Sequence, residues 1–127
     1  MFNYTVETHQ SVGEAVSSLE ASLSEAHFGV LWDFDAKDTL HKKGLEFEPE
    51  YRILEVCNPK EAQRVLNQNR LVGYFLPCKI VVYEEGDQTK IGMPKPTELI
   101  GLVGDDVVLE IARDIEERLI HCIEAAS

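Results

Sequence analysis

The feature that most restricts the fold is a hairpin signal in the second half of the chain. Residues 78–85 and 88–93 have the pattern of two strands, and Glu85-Gly86-Asp87 supplies the residues of a tight turn between them. Strands joined by so short a connection pair antiparallel, because a parallel pair needs a long crossover. The sequence therefore predicts a sheet that is largely antiparallel.

Three more segments have strand patterns. Alternating apolar and polar residues predict strands over residues 2–7 and 28–35, and the apolar content of residues 51–57 predicts a third. The second of these strands carries Phe28, Val30, Trp32 and Phe34 at alternate positions. We expect this aromatic-rich face to pack against a helix.

Two helices are predicted in the first half of the chain. Apolar residues at helical spacing over residues 12–26 follow Ser11 and Glu14, which have the spacing of a capping box. A short helix over residues 36–43 is expected between Asp35, a favourable cap, and a glycine that ends it.

Two further helices follow. Asn58 is a favourable cap and Pro59 suits the first helical position, so a helix is expected from residue 59 to about residue 69. A loop or short extended segment over residues 73–77, in which Pro77 favours an extended Leu76, then leads into the hairpin. Asp105 or Asp106 caps the last helix, whose predicted buried stripe consists of Val108, Ile111, Ala112, Ile115, Leu119, Cys122 and Ile123.

The element order is strand, helix, strand, short helix, strand, helix, two strands, helix. Hairpins with few crossovers predict the α+β class, with a mainly antiparallel sheet and helices on one of its faces. A length of 127 residues predicts a single domain over residues 1–127. The other face of such a sheet needs a cover, and a second copy of the chain is the simplest one, so we predict a homodimer.

Composition excludes several classes of partner. The net charge of −11 disfavours binding to nucleic acid phosphates and to anionic lipid surfaces. The N-terminus lacks a signal-peptide pattern, no apolar run reaches the roughly 20 residues of a membrane helix, and three cysteines do not suggest a disulfide framework. We therefore expect a cytoplasmic protein with reduced thiols. Residues 105–124 contain seven carboxylates, which suit a solvated helix face or a docking face for a basic partner.

Two short sequence motifs, here called the cysteine phrases, contain the residues best suited to binding or reactivity. Val56-Cys57-Asn58-Pro59 and Leu76-Pro77-Cys78-Lys79 each place a cysteine beside a proline where a predicted element starts or stops. If the two strand ends are neighbours, two thiols and an asparagine converge. The predicted ligand or thiol site consists of Glu55, Cys57, Asn58, Pro59, Leu76, Pro77, Cys78 and Lys79.

The two cysteines and the asparagine also have a purely structural interpretation. Cys57 and Cys78 suit packed apolar positions, because a thiol behaves as a compact hydrophobe. A reactive thiol would need its pKa lowered, by the helix that follows Cys57 or by Lys79. Asn58 is explained as a helix cap, and the alternative is an anion held at that helix N-terminus. Cys122 lies on the apolar stripe of the last helix and is expected in the core.

Other chemistry has little support. The four histidines, His9, His27, His41 and His121, have no ligand spacing to a cysteine or to one another, so no metal site is predicted. No phosphate-binding loop and no set of nucleophile, base and orienting residue is recognised. The sequence leaves enzymatic activity open, leaning against it, and identifies no cofactor.

The chain resembles domain-of-unknown-function family 302, a group of small bacterial and archaeal proteins. The resemblance rests on residues 28–35, 51–59, 73–84 and 102–104, and the Cys-Asn-Pro and Leu-Pro-Cys phrases are its most specific parts. It implies a TATA-binding-protein-like α+β fold, with a curved antiparallel sheet backed by helices, and a dimer. It implies no activity, and fold alone does not carry function.

Three functional hypotheses follow. The first is a cytoplasmic homodimer that binds a small molecule or a partner around Cys57, Asn58 and Cys78. The second is a thiol-based redox or sulfur-handling protein that uses the two cysteines. The third is metal binding through the same thiols.

Overall fold

The computed structural model describes residues 1–127 and contains one five-stranded sheet. Its strands are β1 (Asn3–Thr8), β2 (Gly29–Asp35), β3 (Tyr51–Cys57), β4 (Cys78–Glu85) and β5 (Gln88–Pro94). They lie in the order β1-β5-β4-β3-β2, and every neighbouring pair is antiparallel. The predicted α+β class is confirmed, and so is the hairpin, whose turn places Gly86 at a φ of 63°.

Five α-helices connect and cover the strands. They are α1 (Val12–Glu25), α2 (Ala36–Lys42), α3 (Pro59–Gln68), α4 (Pro96–Ile100) and α5 (Asp106–Ala126), and 3-10 turns span Arg70–Phe75 and Gly101–Val103. The predicted loop at residues 73–77 is partly wrong, because its first half continues the turn Arg70–Phe75. Leu76 is extended, as a residue before proline should be.

The helix starts follow the predicted capping chemistry. The Ser11 hydroxyl accepts a hydrogen bond from the Glu14 amide, and the Glu14 carboxylate accepts one from the Ser11 amide. Asp35 caps α2, and the side-chain oxygen of Asp105 accepts hydrogen bonds from two amides of α5. Local sequence therefore determines where these helices begin.

The core lies between the sheet and helices α1 and α5, which pack side by side. All seven residues of the predicted α5 stripe are buried, including Cys122. The strands contribute alternate residues that are at most 3% exposed: Leu54, Val56, Ile80, Val82, Ile91 and Met93. This is the helix-covered face of the sheet.

The opposite, uncovered face carries apolar and charged side chains in rows across the strands. Its middle row is Phe34, Ile53, Val81, Gly92 and Thr5. The row toward the end of the sheet where β4 begins consists of Trp32, Glu55, Lys79, Pro94 and Asn3, with Pro94 placed by continuing the β4–β5 register.

The prediction that the aromatic face of β2 packs against a helix is wrong for Trp32 and Phe34. The β2–β3 register shifts between Val30 and Trp32, so Leu31 is an extra residue without a partner. This bulge turns Trp32 onto the uncovered face, where it is 54% exposed and its ring lies 5.2 Å from that of Phe34. Phe28, before the bulge, is buried as expected.

Candidate functional site

The pairing of β3 with β4 brings the two cysteine phrases to one end of the sheet. Val56 lies directly opposite Cys78, so Cys57 and Cys78 are offset by a single residue on neighbouring strands. Both cysteines are half-buried and neither is in a disulfide. Residues 21 positions apart in the sequence are therefore neighbours in space.

The eight predicted site residues divide between two cavities and one surface position. Leu76, Pro77 and Cys78 line both cavities and form the wall between them. Cys57 and Asn58 belong to one cavity, whereas Glu55 and Lys79 belong to the other. The residues expected to form a single cluster are therefore divided between two cavities that share a wall.

The first cavity, here called the α3 cavity, lies beneath α3 and has a volume of about 250 Å³. Nine of its 13 lining residues are hydrophobic. Besides the two cysteines, its apolar wall includes Phe28, Val56, Ala62, Val65, Leu66 and Ile115. These residues come from the strand ends, from α3 and from α5, so only the folded chain assembles them.

Polar groups of the α3 cavity are already bonded within the chain. The side-chain oxygen of Asn58 accepts hydrogen bonds from the Lys60 and Glu61 amides at 3.1 and 3.3 Å, as its predicted capping role requires. Glu61 lies 3.2 Å from Arg64 and 3.4 Å from Arg118, which in turn lies 5.3 Å from the centre of the Phe28 ring. Glu61 and Arg118 thus tie α3 to α5 beside the cavity.

The second cavity, here called the strand-end cavity, lies where β4 begins and β5 ends, and has a volume of about 190 Å³. Seven of its 12 lining residues are hydrophobic. Its apolar wall includes Tyr74, Phe75, Pro94, Pro96, Leu99 and Ile100. Glu55 and Lys79 are the charged residues that line it.

The surroundings of the two thiols raise their pKa values. Burial raises the pKa of Cys57, and burial together with the nearby Cys57 raises the pKa of Cys78 to about 11. Both shifts run opposite to the lowered pKa of a reactive thiol. At neutral pH both groups are therefore neutral, weakly polar parts of a cavity wall.

Pro59 lies outside both cavities. It is exposed at the start of α3, in a surface depression that also contains His27, Lys60 and Arg118. The two thiols have no third metal ligand beside them. No three or more His, Cys, Asp or Glu side chains lie close enough together to hold a metal ion. No helix combines the length and hydrophobicity needed to cross a membrane.

Sequence reasoning missed most residues of both cavities. Tyr74 lies in the segment 73–77 for which a loop was predicted, and Pro94 and Pro96 lie beyond the strand predicted over residues 88–93. Ile115 is part of the predicted stripe of the last helix, and nothing in the sequence links it to residue 57. These residues come together only because β4 pairs with β3 and β5 and because α3 packs against α5.

The fold is that of a small α+β protein with two adjoining cavities at one end of its sheet. The family model described as "Domain of unknown function DUF302" matches residues 4–126, and the chain belongs to this family. The chain is also similar to a solved structure, the crystal structure of an uncharacterized conserved protein DUF302 from Bacillus stearothermophilus. The two are 54% identical with a TM-score of 0.97, over 100% of this chain and 99% of the other.

The family resemblance inferred from the cysteine phrases is thus confirmed. The search of curated proteins returned no match.

Proposed function

We propose that the protein is a homodimeric binding module and that the α3 cavity binds a small apolar molecule. The observation that carries the proposal is the lining of this cavity, which is mostly hydrophobic around a volume of about 250 Å³. An apolar cavity of about 150 Å³ accepts a molecule of the size of benzene. The α3 cavity has room for a ligand of one or two rings.

The thiols suit this function better than they suit redox chemistry. Burial raises both pKa values, so Cys57 and Cys78 present uncharged sulfur atoms to the cavity at neutral pH. Polarisable sulfur packs favourably against aromatic rings. The thiol-based redox alternative stays a prediction, and these pKa shifts do not support it.

Indole and toluene are suitable probes, titrated into the protein and followed by two-dimensional amide NMR. We expect saturable shifts confined to residues around α3 and the ends of β3 and β4. Ala62→Leu fills the cavity from α3 and should abolish binding, whereas Ala125→Leu makes the same change at an exposed site on α5 and should not. Absence of saturable binding to the wild type, or equal binding by both variants, would contradict the proposal.

The uncovered face supports the homodimer. Apart from Glu55 and Lys79 at the strand-end cavity, the charged strand residues of this face are Glu7, Glu85 and Lys90, a net charge of −1 against −11 for the whole chain. A second acidic copy that packs on the middle row and on the side of it away from this cavity would meet little repulsion, and the aromatic groups of Tyr51 and Tyr83 would be removed from water.

Sedimentation velocity over a range of concentrations tests the dimer. The wild type should sediment at twice the chain mass of 14.3 kDa. Ile53→Glu places a charge in the middle row and should give a monomer, while Val107→Glu, on an exposed part of α5, should leave the dimer intact. A wild type that is monomeric at every concentration would refute this part of the proposal.

The cytoplasmic location is also part of the proposal. Three free cysteines, two of them in neighbouring strands and unbonded, suit a reducing compartment. Growth in an oxidising compartment followed by mass spectrometry of intact protein would show whether Cys57 and Cys78 become oxidised there.

A further inference from the structure

Glu55 and Lys79 are opposite charges that face each other across β3 and β4. The register pairs them directly, on the uncovered face of the sheet and at the rim of the strand-end cavity. Side chains so placed have Cβ atoms about 5 Å apart, within easy reach of each other. An ion pair between them is therefore the expected arrangement.

That ion pair does not form. The ion pairs of the chain include neither Glu55 nor Lys79, and neither side chain makes a hydrogen bond to another residue. On the same face, Lys90 and Glu85 do pair, at 2.9 Å, although they are further apart in the register. One carboxylate and one ammonium group beside the cavity are thus open to solvent and free of ion pairs within the chain.

The wall next to these charges is aromatic and apolar. Tyr74 is 82% exposed although its ring lines the cavity, so this ring packs on little within the chain. The rest of the apolar wall of this cavity includes three rigid prolines and a leucine: Pro77, Pro94, Pro96 and Leu99. A ligand that fits this cavity would carry an ammonium group and a carboxylate at one end, opposite Glu55 and Lys79, and an apolar group at the other end.

We propose that the strand-end cavity binds a free α-amino acid with an apolar side chain. The ammonium group of the ligand would pair with Glu55, its carboxylate with Lys79, and its side chain would enter the cavity beside Tyr74. A volume of about 190 Å³ accommodates a side chain of the size of phenylalanine or leucine. A ligand with one charge would leave the other partner unpaired, and a larger chain segment would exceed the cavity.

This proposal does not depend on the α3 cavity, which has no unpaired charges at its wall. The two binding functions can therefore be tested separately. Ala62→Leu, which blocks the α3 cavity, should leave amino acid binding unchanged. Indole, which lacks both charges, should not compete for the strand-end cavity.

Isothermal titration calorimetry with L-phenylalanine and L-leucine is the direct test. We expect saturable binding of at least one of them, and binding weaker by about tenfold or more for phenethylamine and for 3-phenylpropionate, because each lacks one charged group. Glycine, which has both charges but no side chain, should also bind more weakly. Binding of phenethylamine or 3-phenylpropionate as tight as that of L-phenylalanine would overturn the proposal.

Variants then identify the residues. Glu55→Gln and Lys79→Gln should each weaken binding by about tenfold or more, because each leaves one ligand charge unpaired. Glu48→Gln and Lys43→Gln make the same changes at exposed positions and serve as controls. Tyr74→Ala should weaken binding without lowering the melting temperature. Unchanged binding by the Glu55 and Lys79 variants, or no binding to the wild type at about 10 mM ligand, would overturn the proposal.

Discussion

The two faces of the sheet differ although they alternate residue by residue along the same strands. The helix-covered face is lined by aliphatic residues that α1 and α5 seal from water. The uncovered face mixes half-buried aliphatic and aromatic residues with charges, and Glu55 and Lys79 on it remain unpaired. The side chains of the covered face are packed by helices of the same chain. The uncovered face has apolar and charged groups that are open to contact with a second molecule.

We expect this difference to separate the side chains that stabilise the fold from those that take part in the proposed binding. On the covered face, each side chain contributes by excluding water and filling volume, so its replacement should be felt by the whole fold. On the uncovered face, shortening a side chain should cost little stability and should change mainly the proposed binding, whereas adding volume at a crowded backbone position should still destabilise the fold. The predictions below test this division.

The largest difference is expected between two adjacent residues of β3. Leu54 is fully buried on the covered face, so Leu54→Ala should lower the free energy of unfolding by about 2–5 kcal/mol. Ile53 is half-buried on the uncovered face, and Ile53→Ala should cost about 1 kcal/mol or less. Urea denaturation of dilute protein measures both, and similar losses would show that the two faces contribute equally.

The second prediction concerns Cys78, which lies opposite Val56 on the covered face. Because its pKa is raised from 9.0 to about 11, its thiolate fraction at neutral pH is lower than that of an ordinary thiol by about 100-fold. Iodoacetamide should therefore modify Cys78 about 100-fold more slowly in the native protein than in urea. Peptide mass spectrometry follows the rate, with Cys57→Ala to isolate the Cys78 signal.

The same shift gives stability a pH dependence with a defined sign. The folded state holds the Cys78 proton more tightly than the unfolded state does. This contribution is fully present below pH 9 and is lost as the pH rises toward 11. Cys78→Ala should flatten the fall in melting temperature over this range, and an unchanged fall would assign it to other groups.

The third prediction is a packing defect on the uncovered face. A Cβ atom at Gly92 would lie 2.6 Å from the Thr5 hydroxyl oxygen and 3.3 Å from the Thr5 Cβ. Gly92→Ala should therefore cost about 1–3 kcal/mol of stability. Adding Thr5→Ala, which removes the nearest atom, should recover part of that loss, and additive losses in the double variant would exclude the clash as the cause.

The smallest effect is expected at the β2 bulge. Leu31 is the residue without a partner in the β2–β3 ladder, so its deletion leaves Val30 and Trp32 opposite their present partners. We expect a cost below about 1 kcal/mol. Deletion of Val81, in the regular β4 ladder, moves the residues on one side of the gap to the other face and should prevent folding. Circular dichroism and urea denaturation distinguish the outcomes.

Much of the architecture could be predicted because its causes are local. The bounds of β3, the capping box at Ser11, the cap at Asn58 and the buried stripe of α5 all depend on residues within a few positions of one another. Trp32 was placed on the wrong face for the opposite reason. A bulge depends on how the partner strand is registered, and nothing in the alternation of residues 28–35 reveals it.

The candidate site divides in the same way. The two cysteine phrases were correctly expected to meet, because both end at strands that pair. That they line two cavities and not one could not be predicted, since the outer walls come from α3, α4, α5 and the turn before β4.

The sequence alone determined the α+β class, the helix caps, the buried stripes and the family, because periodicity and capping act over short stretches of chain. The tertiary structure decided the strand order, the face on which Trp32 lies, the raised pKa of Cys78 and the unpaired charges of Glu55 and Lys79. These depend on packing and desolvation between segments that are distant in the chain, and such contacts exist only once the sheet and its helices have assembled.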